Sequence, residues 1–252
     1  EAQIRRDLKA GLTPTIVVSA IGTTGTVAVD PIEAISAIAR RYGLWHHVDA
    51  AYAGTAMICP EFRFLQKGVE QVDSYTFNAH KWMFTNFDCN LFWVAQRRPL
   101  IETMSILPPY LKDSASESGA VVDYRDWHVP LGRRFRALKL WWVLRSYGAA
   151  GIRYHVREHV RMARELENRI VADERFELVA PTLLALVSFR HVSGDEATNA
   201  LAEAINATGK AMVTPSTVNG SSFIRVSIAQ TRTEQRHVDS LWQIINQHAP
   251  RP

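Results

Sequence analysis

Lys81 and Asp49 carry the chemistry this sequence suggests. Lys81 closes the run "YTFNAHK" and Asp49 closes "LWHHVD", both otherwise apolar or small stretches that read as strands. A charged group among such neighbours is costly unless it is paired or chemically converted. The two positions lie 32 apart (81 minus 49), the length of one connection, so both can project into one crevice. One further group gives both a purpose. Pyridoxal phosphate takes up a lysine through its aldehyde as a Schiff base, and its ring nitrogen pairs with a carboxylate. Taken singly, Lys81 reads as a lysine snorkelling from a strand end and Asp49 as a turn former or helix cap. The pair carries the stronger reading.

The elements that must position this pair follow from the local pattern. "PTIVVSAI" is a β-branched run bounded by Pro14 and Gly22, predicting a strand covered on both faces. "GTTGT" follows as a loop. "PIEAISAIARRYG" predicts a helix with Asp30 as N-cap, Pro31 in the first turn and Gly43 as C-cap. "LWHHVDAAYAG", "VDSYTFNAHK" and "CNLFWVA" return to strand. This alternation predicts an α/β fold with a mostly parallel sheet, whose ligands bind beyond the carboxyl ends of the strands. Residues 105–130 are polar, broken by proline and too long for a simple connection, the texture of a functional lid or a linker. Helical periodicity returns in "RRFRALKLWWVLRSYG" and "IRYHVREHVRMARELENRIVADE". "FELVAP", "LLALVSFRHV" and "SSFIRVSIA" then predict strands, with helices at "EATNALAEAINATG" and "TEQRHVDSLWQIINQHA". The organisation expected is a large-domain portion over 1–139 and a smaller α+β domain over 140–252.

Composition narrows the remaining classes. Of the 252 residues, 47% are hydrophobic and 21% charged, which is ordinary globular usage. No window holds 18 uncharged apolar residues, so neither a membrane span nor a membrane partner is expected. The opening "EAQIRRDLKAGLTP" has no signal-peptide core and reads as a helix feeding straight into a strand, as if the chain began inside a larger protein. Cys59 and Cys89 form neither a disulfide framework nor a zinc spacing, which favours a reducing cytoplasm. Arg153, Arg157, Arg161 and Arg164 make a stripe at helical spacing, read as a solvated or subunit-facing helix side with no nucleic-acid partner. "HVREH", His155 to His159, fits a zinc-peptidase pattern, but no further ligand is well placed and no metal is expected. His46 and His47 are adjacent in a strand and so face opposite sides.

Five ordered motifs carry a resemblance. "HVDAAYAG", "FNAHKW", "NFDCNLFWV", "PPYLKDS" and "DYRDWHVPLGRRFRALKLW" are similar to the aromatic L-amino acid decarboxylases, group II pyridoxal-phosphate-dependent decarboxylases of the aspartate-aminotransferase fold type, fold type I. The likeness runs through essentially the whole chain and corresponds to the family's C-terminal half. It implies that Lys81 is the Schiff-base lysine and Asp49 the partner of the pyridine nitrogen. Ala51 matches the small residue against one ring face, Asn78 and His80 match phosphate-side contacts, and Thr24 matches the threonine near the ring hydroxyl. Tyr110 matches the tyrosine of a mobile catalytic loop that protonates Cα and reaches into the second subunit's site of a homodimer. Gly132, in "PLGRR", matches a substrate-binding position where relatives accepting bulky aromatic side chains carry glycine. The family's "NPHKW" is "NAHKW" here. The activity implied is conversion of an aromatic L-amino acid to its arylalkylamine and carbon dioxide. An aldehyde synthase or other lyase on the same scaffold is the nearest alternative, and an inactive fragment acting as a dimerisation module is a second.

Overall fold

Parallel pairing of the first three strands sets the frame of the molecule. The computed structural model describes residues 1–105 and 122–251. Strands β1 (Ile16–Ala20), β2 (Trp45–Asp49) and β3 (Ser74–Asn78) run parallel in that order, and β4 (Asn90–Val94) closes the edge antiparallel to β3. The reversal has a local cause. Only 11 positions separate Asn78 from Asn90 on the two strands, which is too short for a parallel crossover.

Helix α1 (Ala2–Lys9) leads into β1, and α2 (Ile32–Tyr42) connects β1 to β2. Helix α2 buries Ile32, Ser36 and Ala39, one stripe at helical spacing, and ends on Gly43 in the left-handed region at φ 66°. Its start differs from expectation. Pro31, not Asp30, is the N-cap, and the Asp30 carboxylate instead accepts the Ala20 N–H at 2.7 Å, tying the loop back to β1. A second difference concerns β1. Within this chain Ile16 and Val18 are 56% and 58% exposed, on the face of β1 opposite the buried Ser19, so only one face of the strand is covered here.

Buried His46 joins the layers. Its Nε2 lies 2.7 Å from the Ser19 hydroxyl and its Nδ1 2.9 Å from the Ser36 hydroxyl, linking β1, β2 and α2. Burial pushes its pKa down, so it serves as a neutral core group.

Three short 3₁₀ turns over 53–71 return the chain from β2 to β3, and α3 (Ala79–Trp82) and α4 (Arg97–Met104) flank β4. The long helix α5 (Ala137–Val171) breaks at Gly148, whose φ of 61° and ψ of 173° are non-helical. This glycine is the last residue of the first of the two helical runs read from the sequence. Beyond it, β5 (Phe176–Leu178), β6 (Leu186–His191), β8 (Ser221–Ser227) and β7 (Thr214–Val218) form an antiparallel sheet in that spatial order. Helices α6 (Asp195–Ala207) and α7 (Gln235–His248) complete this half. Strand β7 escaped the sequence reading because it carries Pro215 and is mostly exposed, both features of an edge strand. One hydrophobic core runs through both halves, from Ile21 and Val48 through Trp82 and Ile152 to Phe189, Ile224 and Ile245.

Three of the four arginines in the stripe have partners within the chain, and Arg164 is exposed. Arg157 pairs with Glu61 at 2.6 Å and holds that carboxyl down to about 2. Arg153 donates to the Ile58 carbonyl at 2.7 Å, and Arg161 bridges Glu158 and Glu165. The Arg153 and Arg157 contacts dock α5 on the turns that follow β2.

Candidate active site

The carboxyl ends of β1, β2 and β3 lie side by side, with Ala20 opposite Asp49 and Asp49 opposite Thr76. Asp49 ends β2 with an exposed carboxylate that accepts the Ala51 N–H at 2.8 Å, a short Asx turn that fixes its direction. The Asn78 N–H donates to the Ala51 carbonyl at 3.0 Å, so the two strand ends are tied directly. Strand β3 stops at Asn78, three residues earlier than the sequence suggested. The next four residues make the single turn α3, in which Ala79 and Trp82 are buried, His80 is half-buried and Lys81 is exposed. Lys81 is therefore an exposed amine on a one-turn helix above the sheet, not an ammonium in a buried strand.

His80 is fixed from behind. Its Nδ1 lies 2.9 Å from the Cys89 N and 3.0 Å from the Cys89 carbonyl, on the segment leading into β4. Thr24 sits in the loop leaving β1, exposed, and its carbonyl accepts from Arg225 Nη1 at 2.6 Å. The neighbouring Gly25 carbonyl accepts from the Ser188 hydroxyl at 2.9 Å. Arg225 and Ser188, on β8 and β6, thus hold this loop from the second sheet. Sequence reading missed both, since each lies more than 160 positions from its partner and nothing in its own strand marks the contact. Gly22, at φ 83°, admits no larger residue: an added Cβ would stand 2.7 Å from that of Ala53.

Asp49, Ala51, Asn78, His80 and Lys81 are therefore gathered at one sheet end, with the Thr24 loop leaving from the adjacent strand. Gly132 is exposed with open space around it. Tyr110 lies outside the described residues. His155 and His159 are both used internally: the rings lie 6.4 Å apart, and His159 Nδ1 accepts from the Trp82 indole at 3.0 Å. Among the described residues no group of three or more His, Cys, Asp or Glu side chains could hold a metal ion.

An exposed primary amine and an exposed carboxylate at tied strand ends, with a small residue, an amide, an imidazole and a hydroxyl on the same strand ends and loops, form a donor set that fits pyridoxal phosphate. The family defined by the pyridoxal-dependent decarboxylase conserved domain matches residues 1–192. This chain belongs to that family. Tyrosine decarboxylase of Papaver somniferum is 44% identical over 98% of this chain and 52% of its own length. Phenylacetaldehyde synthase of Arabidopsis thaliana is likewise 44% identical over 98% of this chain and 52% of its own. The crystal structure of Oryza sativa TDC with PLP and tryptamine superimposes at a TM-score of 0.94, with 43% identity over 98% of this chain and 53% of that one. The chain spans about half the length of the curated relatives it matches. Within this decarboxylase family the fold is fold type I, and the α/β expectation holds.

Proposed function

We propose that the protein carrying this chain is a pyridoxal-phosphate-dependent decarboxylase of aromatic L-amino acids, releasing carbon dioxide and the arylalkylamine. Residues 1–139 would form the C-terminal part of the cofactor-binding domain, and 140–252 the smaller domain. The observation that carries the reading is the exposed Lys81 amine and the exposed Asp49 carboxylate at one tied pair of strand ends.

Lys81 would hold the cofactor's aldehyde carbon and yield it to the incoming amino group. Asp49 would hold the pyridine nitrogen protonated, with its carboxylate aimed by the Ala51 N–H. Ala51 leaves room against one ring face. Thr24 would meet the ring hydroxyl, while Asn78 and His80 would meet the phosphate. When bound, the cofactor supplies an electron sink for the pair left on Cα when the carboxylate departs. Stabilising charge at the ring end where it develops is the larger catalytic contribution, and it falls to Asp49. Tyr110 would return a proton to Cα, and Gly132 would leave space for a large aromatic side chain. Tyrosine, tryptophan, dopa and phenylalanine are the substrate class. A homodimer sharing its sites and a cytoplasmic setting complete the proposal; the free, buried Cys59 and Cys89 suit a reducing compartment.

Identity to an aldehyde synthase favours one rival, in which the same carbon is oxidised instead of protonated. Retention of Tyr110 supports the amine. Product analysis of the full-length protein with a panel of aromatic amino acids and added pyridoxal phosphate tests this. The expected result is stoichiometric carbon dioxide and amine, together with near-visible absorbance removed by borohydride. Aldehyde with hydrogen peroxide and ammonia would replace this reading by the rival, and absence of both absorbance and turnover would leave a non-enzymatic module.

A further inference from the structure

Lys81 sits on a helix that cannot hold its own shape. A single four-residue turn has no side-chain N-cap, and isolated turns of this length are unstable. The placement of the amine must therefore come from what its neighbours touch. Trp82, the next residue, is fully buried, and its indole stacks on Tyr52 with ring centroids 4.8 Å apart and planes 9° from parallel. Tyr52 lies three residues after Asp49. Residues that closely follow the carboxylate and the amine in sequence are thus stacked on each other.

This stack is anchored from the other half of the molecule. The Trp82 Nε1–H donates to His159 Nδ1 at 3.0 Å, across 77 positions of sequence. His159 lies on α5 beyond the Gly148 break and is 1% exposed, with Phe84 edge-on to its ring at 6.2 Å. An acceptor at Nδ1 fixes the tautomer, with the proton on Nε2. A leucine would fill this core site without burying a polar group. A histidine there has a use beyond packing, since a directed hydrogen bond fixes indole rotation and apolar contact does not.

We propose that His159 is a positioning residue for Lys81, acting through the Trp82 indole and the Tyr52 stack to hold amine and carboxylate at a fixed separation across the cofactor. The inference rests on the decarboxylase reading above. It assigns to α5 an indirect, positioning part in catalysis, without contact with the reacting atoms.

The test uses the full-length protein loaded with pyridoxal phosphate and compares His159→Leu, His159→Asn, Trp82→Phe and the Leu/Phe double variant. Asn can present an acceptor near the Nδ1 position; Leu cannot. Phe keeps the ring stack and loses the donor. Misplacement of a reacting group by about 1 Å costs up to ~10²-fold in rate, so His159→Leu and Trp82→Phe should each lower kcat by roughly 10- to 100-fold and weaken cofactor retention on dialysis. KM for the amino acid should stay within about twofold, because the side-chain pocket is untouched. The double variant should be no worse than the poorer single one, and His159→Asn should recover most of the loss. The indole N–H resonance of Trp82, assigned by its loss in Trp82→Phe, should move upfield in His159→Leu and stay in His159→Asn. Multiplying losses in the double variant, an Asn variant no better than Leu, or wild-type kcat in Trp82→Phe each overturn the proposal. A wild-type protein with no borohydride-fixable cofactor overturns the decarboxylase reading itself, and the positioning role falls with it. That outcome is distinct from a loaded wild type whose variants behave alike.

Discussion

The two sheets differ in what they leave open. In the antiparallel sheet, β6 buries five of its six residues, and Val187 and Phe189 are wholly covered. In the parallel sheet, β1 buries one residue of five, and Val18 on it is 58% exposed. Apolar area removed from water stabilises at roughly 25 cal/mol per Å², so β6 contributes more stabilisation per residue than β1. The groups proposed to react stand on the first, at exposed strand ends. On that proposal the chemistry lies on one sheet and the denser burial on the other, joined through Arg225 and Ser188 on the Thr24 loop and His159 on Trp82.

Substitutions in the two regions should separate rate from stability. Lys81→Ala should reduce decarboxylation to background and abolish borohydride-fixable absorbance. Because Lys81 is exposed, the unfolding free energy of the cofactor-free protein, from chemical denaturation, should change by no more than about 0.5 kcal/mol. A large loss of fold would merge the two roles. Phe189→Ala should do the reverse, destabilising by about 3–5 kcal/mol through the cavity it leaves. Turnover of the remaining folded, cofactor-saturated fraction should stay close to wild type.

Acid should act on the junction between the sheets. Burial, reinforced by the neighbouring His155, pushes His159 down to about 4 from its ordinary 6.5. A histidine depressed in the fold stabilises fully above about pH 6.5 and loses that contribution as pH falls toward 4. The loss amounts to roughly 3 kcal/mol over this window, with His46, also depressed by burial, adding in the same direction. Urea midpoints measured between pH 7 and 4 check this; His159→Asn should flatten the slope, and an unchanged slope would remove His159 as its source. The smallest effect belongs to the open strand. Val18→Thr should shift stability by no more than about 0.5 kcal/mol in this chain, and a loss of several kcal/mol would show that β1 is covered in solution.

Some features were legible because they are local. The stripe Ile32, Ser36 and Ala39 and the terminal Gly43 follow from a 3.6-residue period and the left-handed tolerance of glycine. Asp30 misled because carboxylates serve equally as caps and as loop ties, and only the approach of the Ala20 N–H decided between them. Strand β4 reads as a strand in any direction, and the short connection from Asn78 reversed it. The motif singled out Lys81 as a candidate, but its exposure was not legible, since the turn that lifts it off the sheet spans only four residues.

By itself the sequence determined which groups could react. An amine and a carboxylate in particular motifs have fixed chemistry whatever surrounds them, and helix faces follow from spacing along one segment. The tertiary structure decided which groups meet: Ala51 with Asn78, Thr24 with Arg225, and Trp82 with His159. The physical reason is that each of these pairs is brought together by packing of elements 27 to 201 positions apart in sequence, and no period within a single element encodes such a contact.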